Sequence, residues 1–114
     1  MELHASRLAG KGSRLTFTKE SKEIARLRLY FIENDLHQQP YALIEDLFVQ
    51  EEFRGQSLGR KLMLAAIEEA KRNGCYKILA TSRQEREKVH EFYKKLGFKE
   101  WGKEFRMELG EGNI

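Results

Sequence analysis

The sequence predicts an α+β fold: a mixed, mostly antiparallel β-sheet with helices packed against it. Two observations carry this. The first half alternates apolar and polar residues with the two-residue period of half-buried strands. The second half runs strand, helix, strand, helix, strand, strand, and a strand–helix–strand unit sets its flanking strands parallel through a right-handed crossover. A chain of 114 residues, 40% of them apolar, suffices for one compact domain over residues 1–114. One proline and nine glycines speak against a disordered chain.

The elements follow in order. Residues 3–8 form a short strand before a turn at Gly10-Lys11-Gly12. Residues 15–18 alternate, and residues 24–32 continue the pattern with Ile24, Arg26, Arg28 and Tyr30 between Ala25, Leu27, Leu29 and Phe31. Asn34-Asp35 and Gln38-Gln39-Pro40 mark a turn. Residues 41–44 and 47–49 are near-continuously apolar, the pattern of a strand buried on both faces, with Glu45 and Asp46 interrupting it. Residues 50–55 are a charged loop. A helix follows over residues 57–73, where Leu58, Leu62, Ala66 and Ala70 with Met63 and Ile67 make one apolar stripe. Asn73-Gly74 supplies its left-handed stop. Residues 76–80 are a strand opened by Cys75. A second helix starts within residues 82–86, gathers Val89, Phe92, Tyr93 and Leu96 on one face, and is capped by Gly97. Residues 98–101 and 105–109 close the chain as a hairpin about Gly102-Lys103.

Composition excludes several classes. The single cysteine, Cys75, makes neither an internal disulfide nor a cysteine-rich metal site, which favours a reducing, cytoplasmic setting; Cys75 itself reads as a small core residue. His4 and His37 have no partners at metal-ligand spacing, so no metal site is predicted. No stretch reaches the length of a membrane span, and residues 1–4 lack a secretion signal. The net charge of +3 is spread along the chain. Without a basic stripe interleaved with aromatics, it indicates a solvated mixed surface or a phosphorylated small ligand, not specific nucleic-acid binding.

The loop at Phe53-Arg54-Gly55-Gln56-Ser57-Leu58-Gly59-Arg60 lies between a buried strand and an amphipathic helix. The first helical turn leaves backbone N–H groups unpaired, and the macrodipole makes that end attractive to anions. Gly55 and Gly59 remove side chains where a ligand would approach the backbone, and Arg54 and Arg60 add charge. On spacing alone, an ordinary strand–helix turn explains these residues as well.

Residues 45–62, with Arg54, Leu58 and Gly59, resemble the Arg/Gln-x-x-Gly-x-Gly/Ala motif of the GNAT superfamily of N-acetyltransferases. Ser57 departs from it, standing where the middle glycine is usual. Its hydroxyl could cap the helix or bond a phosphate oxygen; a positive φ there would cost about 1 kcal/mol. A second stretch, Val89-His90-Glu91-Phe92-Tyr93-Lys94-Lys95-Leu96-Gly97-Phe98, resembles the family's aromatic–Tyr–x–x–Leu–Gly–Phe motif. Together the two cover about residues 41–109.

The resemblance implies a GNAT-like sheet with a splay between two central parallel strands and acetyl-CoA as co-substrate. Backbone groups of Leu47, Phe48 and Val49 would hold the pantetheine arm and polarise the thioester carbonyl. The backbone of Arg54, Gly55, Gln56, Ser57, Leu58, Gly59 and Arg60 would hold the pyrophosphate. The same resemblance points to Glu45 as the base that takes the amine's proton, on the expectation that it is partly buried with a raised pKa. Asp46, expected on the opposite face, is the fallback. Tyr93 is the implied acid for the departing thiolate; as residues alone, Phe92, Tyr93 and Leu96 read as core. Arg86 stands where many members have asparagine and receives no role. His90 reads as a surface or packing residue. The family often carries two helices after its first strand, and residues 8–15 leave room only for a turn. This implies an open acceptor side that a second subunit of a homodimer could complete. Glu45, Asp46, Glu51 and Glu52 mildly favour a cationic amine as acceptor. The competing function is an acetyl-CoA-binding sensor of the same fold without efficient catalysis.

Overall fold

Ala25, Leu27, Leu29 and Phe31 occupy alternate positions of one strand and are all buried, so this strand forms the middle of the core. The computed structural model describes residues 10–81 and 87–110. They group into two compact units, divided between Ala80 and Thr81.

The first unit is a four-stranded sheet in the order β1-β2-β3-β4. Strand β1 (Gly10–Lys19) pairs antiparallel with β2 (Lys22–Ile32), and β2 pairs antiparallel with β3 (Tyr41–Val49). Strand β4 (Ile78–Ala80) pairs parallel with β3. Helix α1 (Leu58–Arg72) lies against β1, β2 and β3, and buries Leu62, Met63, Ala66 and Ala70 there. The helix thus follows the predicted stripe, and it makes the crossover that sets β3 and β4 parallel.

Several boundaries differ from the sequence expectation. Gly10-Lys11-Gly12 is not a turn; β1 starts at Gly10, with Gly12 opposite Tyr30. A side chain at Gly12 would meet the Tyr30 ring at 3.2 Å, so glycine here admits an aromatic neighbour across the strands. The turn falls instead at Glu20 and Ser21, with φ of 52° and 66°. Two consecutive left-handed residues define the tight hairpin turn that Asn-Gly ordinarily forms. Neither Glu nor Ser carries that signature, so the turn is invisible in the sequence. Replacing Glu20-Ser21 by Asn-Gly should stabilise the fold by about 1 kcal/mol, raising the thermal midpoint by roughly 4 °C. Thermal melts of the two proteins check this.

Strand β3 is buried on one face only: Ala42 and Ile44 are buried, whereas Tyr41 and Leu43 are half-buried. Among the described elements of the unit, α1 is the one helix packed on this sheet, and it covers the face that carries Ala42 and Ile44. At the end of α1, Gly74 takes φ 72° and the Cys75 N–H donates to the Ala70 carbonyl at 3.0 Å, closing the helix as predicted. Cys75 therefore belongs to the helix stop rather than a core strand. It is half-buried, and burial pushes its thiol pKa up. Strand β4 opens two residues later than expected, at Ile78.

The second unit contains α2 (Glu87–Lys95), with Val89, Phe92, Tyr93 and Leu96 half-buried. Gly97 has φ 101°, and the Phe98 N–H donates to the Tyr93 carbonyl at 3.1 Å, which ends the helix. The predicted closing hairpin is absent: residues 98–109 carry no strand, and Trp101, Phe105, Met107 and Leu109 are exposed. Alternation alone does not make a strand, because its backbone groups need a neighbouring edge to bond. The predicted strand at residues 3–8, the start of the second helix at residues 82–86, and His4 and Arg86 lie outside the described residues.

Candidate functional site

The parallel ladder between β3 and β4 is short. It pairs Ala42 with Ile78, Leu43 with Leu79 and Ile44 with Ala80, and there it ends. From Glu45 onward β3 continues with β2 as its only described neighbour. The two parallel strands therefore part at Glu45, and beyond it β3 has no described partner on that side, an opening in the ladder.

A bulge stands at this point. Arg28 pairs with Glu45 and Arg26 with Phe48, so Asp46 and Leu47 together oppose Leu27. Asp46 takes φ 57°, in the left-handed region. The bulge breaks the alternation on which the sequence expectation rested. Asp46 is not on the opposite face from Glu45; both share the face that carries Arg26 and Arg28.

The bulge also decides which backbone groups face the opening. The Gln50 N–H donates to the Ile24 carbonyl at 2.8 Å. With Val49 opposite Ala25 and Phe48 opposite Arg26, alternation turns the backbone of Phe48 toward β2 and that of Val49 away from it. The Val49 carbonyl on that side accepts from Arg54 Nε at 2.9 Å. Arg54 is thus folded back along the strand, its guanidinium 5.8 Å from the Phe48 ring centre. Phe48 itself is 38% exposed and lies under Arg26 at 4.7 Å, so it offers a ring rather than backbone groups.

Beyond β3, a short 3-10 helix (Glu51–Phe53) leads to Arg54 and Gly55, the latter with φ 85°. A side chain at Gly55 would meet nothing within 4 Å, so glycine is required there for its backbone conformation, not for room. Ser57, at the helix N-cap, has φ 62° and makes no side-chain capping bond. The capping role open to it in the sequence is not realised; the strained conformation is. The first turn bond of α1 runs from the Lys61 N–H to the Ser57 carbonyl at 3.0 Å. The N–H groups of Leu58, Gly59 and Arg60 precede it and point out of the helix end. Arg54, Gly55, Gln56, Ser57 and Arg60 are exposed, while Leu58 and Gly59 are half-buried.

Glu45 is exposed, not partly buried as predicted, and makes no ion pair with a described residue. Burial therefore lends it no support as a base; its position where the strands part remains. Asp46 is committed elsewhere. Arg26 donates to it twice, from Nε at 2.7 Å and from Nη2 at 3.2 Å, and Arg28 pairs with it as well. The Arg26 hydrogen bonds hold its carboxyl below the ordinary carboxylate range. A carboxylate so stabilised is a weaker proton acceptor, which counts against Asp46 as the fallback base. Its charge is also balanced, which weakens the expectation of an acidic acceptor side. In the second unit, the Tyr93 ring lies 5.7 Å from Phe92 and 5.6 Å from Phe98, centre to centre. No group of three or more potential metal ligands occurs among the described residues, and none of their helices is long and apolar enough to cross a membrane.

A sheet whose central parallel strands part beside a bulge, with an uncapped helix start downstream, defines the class of acyl-coenzyme-binding α+β folds that the sequence motifs resemble. The acetyltransferase (GNAT) family profile matches residues 4–98, and the chain belongs to this family. It is 38% identical over 66 residues to a glucosamine 6-phosphate N-acetyltransferase of Trypanosoma brucei brucei; the match takes in 58% of this chain and 43% of that protein. Among solved structures, an acetyltransferase from Trypanosoma brucei superposes with a TM-score of 0.80 at 26% identity, covering 86% of this chain and 69% of that one. A transcriptional regulator from Bacillus halodurans superposes with a TM-score of 0.80 at 28% identity, covering 86% and 66%.

Proposed function

We propose that the chain is an acetyl-CoA-dependent N-acetyltransferase acting on a primary amine of a small molecule or a protein. The observation that carries this reading is the parting of β3 and β4 at Glu45, followed by a helix whose first amides have no side-chain cap and no partner within the helix. A thioester on a long arm needs a groove for the arm and an anion site for its diphosphate, and these two features supply them in that order.

Backbone amides of residues 54–60 hold the pyrophosphate, with the charge of Arg60 beside them. The backbone of Leu47 and Val49 borders the pantetheine arm and the thioester carbonyl, and an N–H aimed at the developing oxyanion lowers the barrier. Phe48 contributes its exposed ring. The amine nitrogen attacks the carbonyl carbon, and Glu45 takes its proton directly or through water. Collapse of the tetrahedral adduct breaks the C–S bond, and the Tyr93 hydroxyl returns a proton to sulfur. The products are the acetylated amine and free coenzyme thiol.

Calorimetry with acetyl-CoA tests the binding step, and absence of binding at millimolar ligand defeats the reading. A screen of amines, begun with amino sugar phosphates because of the trypanosomal relative, then follows thiol release. Tyr93→Phe should lower turnover about tenfold without weakening coenzyme binding, less than the ~10²–10⁴ that general acids typically supply, because a thiolate of pKa about 8.5 leaves with little help. Full turnover in that variant removes the acid role. A second reading, a coenzyme-responsive regulator, is favoured by the Bacillus halodurans neighbour and by the strained Ser57 at the anion site. Binding without thiol release from any amine would select it.

A further inference from the structure

We propose that Asp46, clamped between Arg26 and Arg28, is a positioning residue that sets the bulge of β3 and so the placement of the thioester carbonyl. The inference rests on the coenzyme reading above for its functional part, and on geometry alone for its structural part.

The clamp has the features of a built device. Arg26 presents two donors to both oxygens of one carboxylate, an arrangement with strong directional preference. Arg28, two residues along the same strand, pairs with the Asp46 oxygen Oδ2 that also accepts from Arg26 Nε. The two arginines flank Leu27, the residue that the bulge leaves opposite both Asp46 and Leu47. The carboxylate thus bridges the point where the register slips, and pins it. Arg26 extends the hold to the next pair, because it lies over the Phe48 ring. The remaining charges on this face complete the arrangement. Arg14 of β1 pairs with Glu23 of β2 at 2.5 Å, and Glu23 approaches Arg26 at 3.8 Å. Glu45 is the neighbour of Asp46 on its own strand.

A left-handed aspartate is tolerated but not preferred in the middle of a strand. Without the clamp, the regular alternative places Asp46 on the helix face and shifts residues 47–49 by one side. The backbone that faces the opening would then be that of Phe48 in place of Val49. The clamp selects between these two registers, and the chosen one puts the Val49 amide at the edge where β4 has ended.

The test uses Asp46→Asn, which keeps size and left-handed tolerance but loses the charge, and Asp46→Gly, which keeps the conformation without a side chain. Amide exchange in the unliganded chain reads the bulge itself. In both variants the Gln50 amide, bonded to the Ile24 carbonyl, should exchange about tenfold faster, while amides of Leu27 and Leu29 stay within a factor of three. Calorimetry with acetyl-CoA and with the free coenzyme reads the function. Both variants should lose about fivefold in affinity for acetyl-CoA and less than twofold for the free coenzyme, since the diphosphate grip lies elsewhere. Arg26→Lys, which keeps the charge but not the fork, should fall between wild type and Arg26→Gln. Unchanged Gln50 exchange in both Asp46 variants overturns the clamp. Changed exchange with equal losses for both ligands overturns its positioning role. If the wild-type chain binds no acetyl-CoA, the coenzyme reading fails, and the exchange measurement still decides the clamp.

Discussion

Glu45→Gln should lower turnover about a hundredfold at pH 7 and saturating acetyl-CoA, with coenzyme affinity unchanged within twofold. An alkylammonium has a pKa of about 10, so at neutral pH nearly all of the acceptor is protonated and cannot attack. A carboxylate at the reacting centre takes that proton as the C–N bond forms, and glutamine of the same shape cannot. Glu45 is the first residue of β3 beyond the parallel ladder, since Ile44 pairs with Ala80 and no later residue pairs with β4. It therefore stands where the strands part, on the outer face, within reach of an amine arriving from solvent. Its exposure means that water can relay the proton. The loss should narrow as pH rises toward 10, because free amine then becomes abundant without help. Turnover of the glutamine variant within threefold of wild type at pH 7 would remove Glu45 from the chemistry. The acceptor found by thiol release supplies the assay.

Much of this arrangement was legible in the sequence, and the exceptions share a cause. Helix α1 was readable to within a residue at each end, because its stripe at Leu62, Ala66 and Ala70 and its Asn73-Gly74 stop are both local signals. The same holds for Gly97 after α2. The turn at Glu20-Ser21 was not legible, since pairing of β1 with β2 forces left-handed conformations on residues that do not prefer them. The bulge at Asp46 is a second case. Glu45-Asp46 looks like a simple interruption of an apolar run, and alternation assigns the two residues to opposite faces. In the observed register Asp46 pairs with Arg26 and Arg28 of the neighbouring strand, partners that its local sequence does not reveal. That signal was present as Arg26 and Arg28, at one-face spacing on the strand beside Glu45-Asp46. It connects residues about twenty positions apart and needs the register to be read. Residues 98–109 show the opposite error: a clear alternation with no paired edge among the described residues.

Ser57→Asp separates the fold of the anion site from its use. A carboxylate at this N-cap has the start of α1 within reach, where the amides of Leu58, Gly59 and Arg60 point outward and the macrodipole is positive. Aspartate also tolerates the left-handed conformation that Ser57 adopts at φ 62°. The variant should therefore be at least as stable as wild type. The same carboxylate fills the place proposed for the pyrophosphate and repels it, so acetyl-CoA affinity should fall about thirtyfold, equivalent to roughly 2 kcal/mol. The loss should persist for free coenzyme, because the acetyl group is remote from this helix end. Ser57→Gly is the matched control. It keeps the amide, removes the hydroxyl and relieves the left-handed strain, so affinity should hold while stability rises by about 0.5 kcal/mol. A stable aspartate variant that binds acetyl-CoA within threefold of wild type would place the diphosphate somewhere other than the start of α1. A weak glycine variant would show that the Ser57 hydroxyl, and not the backbone, makes the contact.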